Sequence, residues 1–183
     1  MKHIAATTLM LLAAVPVLPG QAKESSPNTA NPIVTTVRQM ETRFGKNLTG
    51  AAEEMPADKY SYRPTPEQIT FGHLIMHSAE ANNSLCAAVA GEPAPSVKLS
   101  ETDPKDTLTK ALKDSFAYCE QVLAKADDSA LGQTVTLYEG QTGTRGSALV
   151  RMAAGWADHY SAAAMYLRMN NLVPPSAQKA PGK

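Results

Sequence analysis

Apolar residues recur at three- and four-residue steps in four separate segments of the chain, which is the pattern of amphipathic helices. The predicted helices are residues 32–54, a second from near 67 or 70 to 90, a third from 104 to 125 or 126, and a fourth from 144–146 to 170. Residues that favour helix ends mark the limits, with Asn31 and Asp103 as N-caps and Gly91 and Asn171 at the C-terminal ends. The pattern predicts an all-α protein, a four-helix bundle.

The segments between these helices contain residues that interrupt regular structure. Residues 55–66 contain three prolines and cannot be helical throughout. Residues 91–103 form a linker of about a dozen residues. Residues 133–138 alternate as a strand does, but Gly140, Gly143 and Gly146 favour a loop.

Residues 1–22 have the pattern of a secretory signal peptide. A positive start is followed by an apolar run over residues 4–18 and a small-residue exit at residues 20–22. The alternatives are a retained anchor or a lipoprotein, but a span needs about 20 apolar residues and no cysteine lies near the exit. We therefore expect a periplasmic or secreted protein without stable membrane insertion after cleavage. A flexible lead-in at 23–31, the bundle at 32–176 and a disordered tail at 177–183 complete the predicted organisation.

The charge of the chain is balanced, with 17 Lys and Arg against 17 Asp and Glu. No run of basic residues is present, so nucleic-acid binding has no electrostatic basis. With one Trp and three Phe, aromatic platforms for stacking bases are scarce as well. We expect no nucleic-acid partner.

The two cysteines, Cys86 and Cys119, allow a disulfide in an exported protein. The alternative is two buried thiols that act as small apolar residues. Each cysteine lies about the same distance into its own helix, so a disulfide would require the second and third helices to run parallel. The linker, at about 40 Å when extended, is long enough to span a helix of about 30 Å.

Three histidines remain after signal removal: His73, His77 and His159. His73 and His77 are four residues apart on the second predicted helix and share a face, and His159 lies on the fourth. Imidazole is the commonest protein ligand for a transition metal, and three of them would leave a position for water or substrate. The alternative is that they are polar residues on the bundle surface.

Three stretches of the chain together carry a family resemblance. The first stretch contains Tyr62-Arg63-Pro64-Thr65-Pro66 and Thr70-Phe71-Gly72-His73, and continues to His77. The second is Thr144-Arg145-Gly146. The third contains Asp158-His159-Tyr160, Met165-Tyr166-Leu167-Arg168 and Val173-Pro174-Pro175-Ser176. In this order they resemble the DinB/YfiT-like superfamily, over essentially the whole mature chain.

The resemblance implies a four-helix bundle with an up-down-down-up arrangement and a divalent metal, zinc or nickel, held by three histidines. Characterised members of the family include thiol-dependent transferases and isomerases, and members are often homodimers. His77 matches the family's first histidine and His159 its last. The middle ligand belongs four residues before His159, where this chain has Gly155.

Two hypotheses for the metal site follow. In the first, His73 compensates for Gly155 and completes a three-histidine site with His77 and His159. In the second, the site has lapsed and His77 and His159 form a residual polar pair. Glu80, nearly one turn beyond His77, is a reserve ligand or an acceptor for an imidazole N–H.

Three functions remain open on the sequence. An intact site would support metal-dependent transferase or hydrolase chemistry on a small-molecule substrate. A lapsed site would leave a non-catalytic bundle that binds a small molecule or a partner there. The third is a structural periplasmic protein without a ligand.

Overall fold

The computed structural model describes residues 30–137 and 140–178, so the predicted signal peptide lies outside the described residues. Four long helices account for most of the described chain: α1 (Pro32–Glu54), α2 (Phe71–Ala90), α3 (Lys105–Lys125) and α4 (Arg145–Met169). Short 3-10 turns span Ala57–Lys59, Asp128–Ala130 and Pro175–Ala177. The predicted all-α four-helix bundle is confirmed. None of the described helices combines the length and the hydropathy that crossing a bilayer requires.

Side-chain caps begin α2 and α4. Thr70 Oγ1 accepts a hydrogen bond from the backbone N–H of His73 at 3.0 Å. Before α4, Thr144 Oγ1 accepts from Ser147 N, and Ser147 Oγ accepts from Thr144 N. This reciprocal pair satisfies two backbone donors that have no partner inside the helix, so the start of each of these helices is set by local sequence.

The cap of α1 comes from a distant part of the chain. Asn31 is the N-cap residue as predicted, but its side chain makes no capping hydrogen bond. Its Oδ1 instead accepts from the backbone N–H of Asp128. The Asp128 carboxylate in turn accepts from the N–H groups of Ile33 and Val34, both at 2.9 Å. The first turn of α1 is therefore capped by a residue that follows α3.

Two local predictions were wrong. The N-cap of α3 is Pro104, and the predicted cap, Asp103, accepts from the backbone N–H of Ser100 instead. The segment predicted as a loop before α4 contains an antiparallel hairpin of β1 (Thr134–Thr136) and β2 (Thr142–Thr144). A Cβ at Gly143 would lie 2.3 Å from Leu137 Cδ1, so this glycine permits close packing.

Contacts along α2 give the relative directions of three helices. The predicted disulfide is present between Cys86 and Cys119, and one turn earlier Asn82 Nδ2 donates to Ser115 Oγ. Because both pairs advance together, α2 and α3 run in the same direction. Contacts with α4 come in reverse order: Ile69, just before α2, and residues 77 and 86 of α2 meet residues 166, 159 and 152. The two helices α2 and α4 therefore run in opposite directions.

The core contains a layer of hydrogen-bonded polar groups around Asn82. Trp156, only 1% exposed, donates its Nε1–H to Asn82 Oδ1 at 2.7 Å. Ser115 Oγ accepts from Asn82 and donates to the carbonyl of Leu112. These buried polar groups are thus paired, as stable interiors require. The side chains buried most completely around them include Phe71, Leu48, Ile75, Leu108, Leu123, Leu149 and Leu167.

Candidate functional site

His77 and His159 face each other across the contact between α2 and α4. Their ring centroids are 5.1 Å apart and their planes are inclined at 72°. Burial lowers the pKa of His159 below its ordinary value of 6.5, and the nearby His77 lowers it further, while Asp158 acts in the opposite direction. His159 is therefore held as a neutral imidazole, the form that ligates a metal or accepts a hydrogen bond.

His73 lies one turn before His77 on α2 and is held by an acidic residue. The centroids of the two rings are 6.4 Å apart. Nδ1 of His73 lies 3.0 Å from Oε2 of Glu101, an oxygen that also accepts from Thr70 Oγ1 at 3.3 Å. Glu101 belongs to the connection between α2 and α3, where no motif marked it in the sequence. Its contact orients His73 at the start of α2.

Gly155 lies one turn before His159 on α4. Outside the nearby backbone of its own helix, a Cβ atom at this glycine would have one neighbour within 4 Å, the Cε1 atom of His159 at 3.8 Å. Packing therefore does not require glycine here, because a Cβ atom would make only an ordinary van der Waals contact. Residues 155 and 159 share a helix face, so the absent side chain leaves space beside the imidazole of His159.

The three predicted ligands do not form one cluster. Within residues 30–137 and 140–178, no three His, Cys, Asp or Glu side chains lie together as a metal-binding group, and the reserve ligand Glu80 completes none. The structure brings His77 and His159 together and places His73 beside Glu101. A tetrahedral zinc site takes three or four protein ligands. The three-histidine site that the family resemblance implies is therefore not assembled among the described residues, and the part of His73 in it stays a prediction.

Two tyrosines of α4 hold neighbouring segments of the chain in place. The Tyr160 hydroxyl donates to Ser176 Oγ at 2.6 Å and accepts from the backbone N–H of Ser176. The Tyr166 hydroxyl donates to the carbonyl of Ile69, and its ring packs edge-on against Tyr62. Tyr160 thus fastens the Val-Pro-Pro-Ser exit to the bundle, and Tyr166 fastens the connector before α2.

Comparisons with known proteins agree on the fold. A family model described as the DinB superfamily matches residues 40–163, more than half of the chain. A DinB-like protein from Bacillus subtilis has a TM-score of 0.63 at 15% identity, with 79% of this chain and 99% of that chain covered. A DinB-like protein from Bacillus cereus has a TM-score of 0.64 at 12% identity, with 77% and 95% covered.

A mycothiol-dependent maleylpyruvate isomerase is also similar, with a TM-score of 0.57 at 17% identity. The match covers 70% of this chain and 59% of the isomerase, so this chain corresponds to little more than half of that protein. None of the curated proteins matches the sequence. At these identities the solved structures establish the fold alone.

Proposed function

Because this chain belongs to the DinB superfamily, we propose that it is an exported protein with a reduced, two-histidine form of the metal site implied by the family resemblance. His77 and His159 occupy that position, and the protein binds a small molecule there without catalysing a reaction. The observation that carries the proposal is Gly155, which supplies no ligand at a position where packing leaves room for one.

The chemistry of the ring pair indicates the class of guest. A neutral imidazole has one donor and one acceptor nitrogen, so two facing rings suit a molecule that has both kinds of group. Burial favours the neutral form of His159, which weakens any attraction for an anion. The space beside Gly155 gives such a guest a place next to His159. We therefore infer a small, uncharged, polar ligand.

Zinc titration by calorimetry tests the reduced site. The parent protein should bind zinc weakly, because two imidazoles leave the ion short of protein ligands. Gly155→His should tighten zinc binding by at least about tenfold, since it adds a nitrogen one turn from His159. Ala154→His is the matched control, because position 154 is exposed and points about 100° away from position 155 on the helix.

The outcomes of this titration are distinct. An affinity raised by Gly155→His but not by Ala154→His supports the reduced site. Tight, near-stoichiometric zinc in the parent protein, lost in His159→Ala, would show that the site is intact and would overturn the proposal. Binding of the guest is tested with acetamide, whose saturable effect on the ring protons of His77 and His159 should disappear in Gly155→Leu.

A second candidate, metal-dependent transferase or hydrolase chemistry, draws on the contact between His73 and Glu101. A carboxylate that accepts from one imidazole nitrogen is a common means of orienting a metal-ligating histidine, and it leaves Nε2 of His73 free. On this alternative, zinc or nickel binds to His73, His77 and His159. His73→Ala would then lower metal affinity as much as His77→Ala does. Unchanged affinity would assign His73 to its pair with Glu101 alone.

Export is proposed from the N-terminal pattern and from the disulfide between Cys86 and Cys119. The periplasmic or secreted protein should begin at Lys23, which intact-mass measurement of the exported fraction would establish. A chain that retains Met1 and stays in the cytoplasm would contradict this. The homodimer implied by the family resemblance stays a prediction, and light scattering on the mature protein would test it.

A further inference from the structure

Arg145 is placed unusually, as a cation in the first turn of α4. The N-terminal end of a helix carries the positive end of its dipole, so a cation there is unfavourable for α4 itself. The guanidinium reaches across to the end of α2, where Nη2 lies 2.7 Å from the position that a Cβ of Gly91 would occupy. Gly91, with a φ of 75°, therefore permits both the turn and the approach of Arg145.

The contact with α2 does not account for the whole guanidinium. A cation near the C-terminal end of a helix is favourable, which would explain the direction of the side chain. Within the described ranges, however, Nε of Arg145 is buried and has no hydrogen-bond partner. The ion pairs found among those residues do not include Arg145 either. The buried Nε is enclosed by the protein, so a ligand would reach the guanidinium only through its terminal amino groups.

A cavity of about 210 Å³ opens in front of Arg145, where the C-terminal ends of α2 and α3 meet the start of α4. The residues that line it include the basic side chains of Arg145 and Lys125 and the acidic side chain of Glu92. Tyr118 and Gln121 add neutral hydrogen-bonding groups, and Val122 is apolar. Residue 91 is 14 positions after His77 on or next to α2, about 21 Å along the helix. The cavity is thus separate from the histidine site.

The acidic group of the cavity is held in place by a tyrosine. Tyr118 donates its hydroxyl to Oε1 of Glu92 at 2.8 Å. Burial raises the pKa of Tyr118 to about 12, and the neighbouring Glu92 contributes to the rise. The hydroxyl therefore remains a donor at neutral pH, and the second oxygen of Glu92 is left to accept from a ligand. The cavity presents guanidinium donors and an oriented carboxylate.

We propose that this cavity binds a small zwitterion, a molecule with a carboxylate and an ammonium group close together, as in a free amino acid. The carboxylate pairs with the guanidinium of Arg145, whose planar donors match two carboxylate oxygens, and Lys125 adds a second positive charge. The ammonium pairs with Glu92. A dianion such as phosphate is disfavoured, because Glu92 repels it.

Nuclear magnetic resonance titration of the ¹⁵N-labelled, disulfide-bonded protein tests this site with three probes at fixed ionic strength: L-alanine, acetate and inorganic phosphate. L-Alanine should give saturable shifts of the Nε–H signal of Arg145 and of the amides of Gly91 and Glu92. Acetate and phosphate should bind at least about tenfold more weakly, because neither supplies an ammonium group for Glu92.

Two variants distinguish binding in this cavity from general effects of charge on the protein. Arg145→Gln should abolish the L-alanine shifts. Arg151→Gln is the matched control on the same helix, since Arg151 is exposed and donates to Gln141 at 3.2 Å, and it should leave the shifts unchanged. If Arg145→Gln does not fold, Glu92→Gln serves instead, because it keeps the guanidinium. It should weaken L-alanine binding at least about tenfold without weakening acetate binding.

The proposal is overturned by any of three results: no saturable L-alanine shift, equal affinity for all three probes, or shifts that persist in folded Arg145→Gln. Each of these results would mean that the guanidinium has only a structural role at the end of α2. None of these results tests the proposed site at His77 and His159, because the zinc titration tests that site independently.

Discussion

The contact between α2 and α4 contains two polar layers that are built differently, although little more than one helical turn separates them. In the Asn82 layer, Trp156 and Ser115 satisfy the amide, and the group is buried and fully paired. In the His77 layer, two imidazoles face each other beside a glycine that packing does not require. The same pair of helices thus contains one layer that stabilises the fold and a second layer that the proposed ligand would use.

The largest effect that we expect is the loss of stability on removing the disulfide, which lies one turn beyond Asn82. Cys86→Ala with Cys119→Ala should lower the free energy of unfolding by about 3–4 kcal/mol, because the bridge closes a loop of 33 residues. Denaturant titration of the oxidised parent and the double variant measures the difference. Equal midpoints for the two proteins would contradict a stabilising role for this part of the bundle.

The next effect compares the two layers directly. Asn82→Ala leaves the buried Nε1 of Trp156 and the hydroxyl of Ser115 without their side-chain partner, so we expect a loss of about 2–3 kcal/mol. His77→Ala on the same helix should change the free energy of unfolding by less than about 1 kcal/mol. Urea titration of both variants checks this, and a comparable loss in His77→Ala would mean that the histidine layer is structural as well.

The smallest effect concerns the protonation of His159. Its pKa in the folded protein lies below the ordinary value of 6.5, chiefly through burial, so the unfolded chain binds this proton more readily. The stability it contributes is present above pH 6.5 and is lost as the pH falls through that value and through the folded pKa. His159→Gln should flatten this part of the pH profile of unfolding. An unchanged slope in that variant would assign the pH dependence to other groups.

The helices of the bundle could be predicted because their signals are local. Gly91 ends α2 as predicted, and Thr70, one of the two starts that the sequence left open, caps its first turn through a contact with His73. The cap of α1 was not predictable in the same way, since Asp128 reaches it from more than 90 residues away. The hairpin was not predictable locally, because Gly143 favours a loop by sequence, whereas in the structure it makes room for Leu137.

The histidine site could be predicted only in part. The pairing of His77 with His159 follows from the family resemblance, and the structure has the two rings in contact. The position of His73 depends on Glu101, and so on the path of a connection without regular structure. The buried Nε of Arg145, which has no partner among residues 30–137 and 140–178, depends on how three helix ends meet. The surroundings of His73 and of Arg145 therefore cannot be predicted from any single segment of the chain.

The distant cap of α1 has a consequence for the order in which the molecule assembles. A chain that emerges N-terminus first delivers residues 32–54 early, but the carboxylate that closes their first turn arrives about 95 residues later. The N-terminal helix therefore lacks its final restraint until the segment after α3 has emerged. The first turn of α1 is thus closed only after α2 and α3 have been synthesised, so three helices are present before the cap of the first one forms.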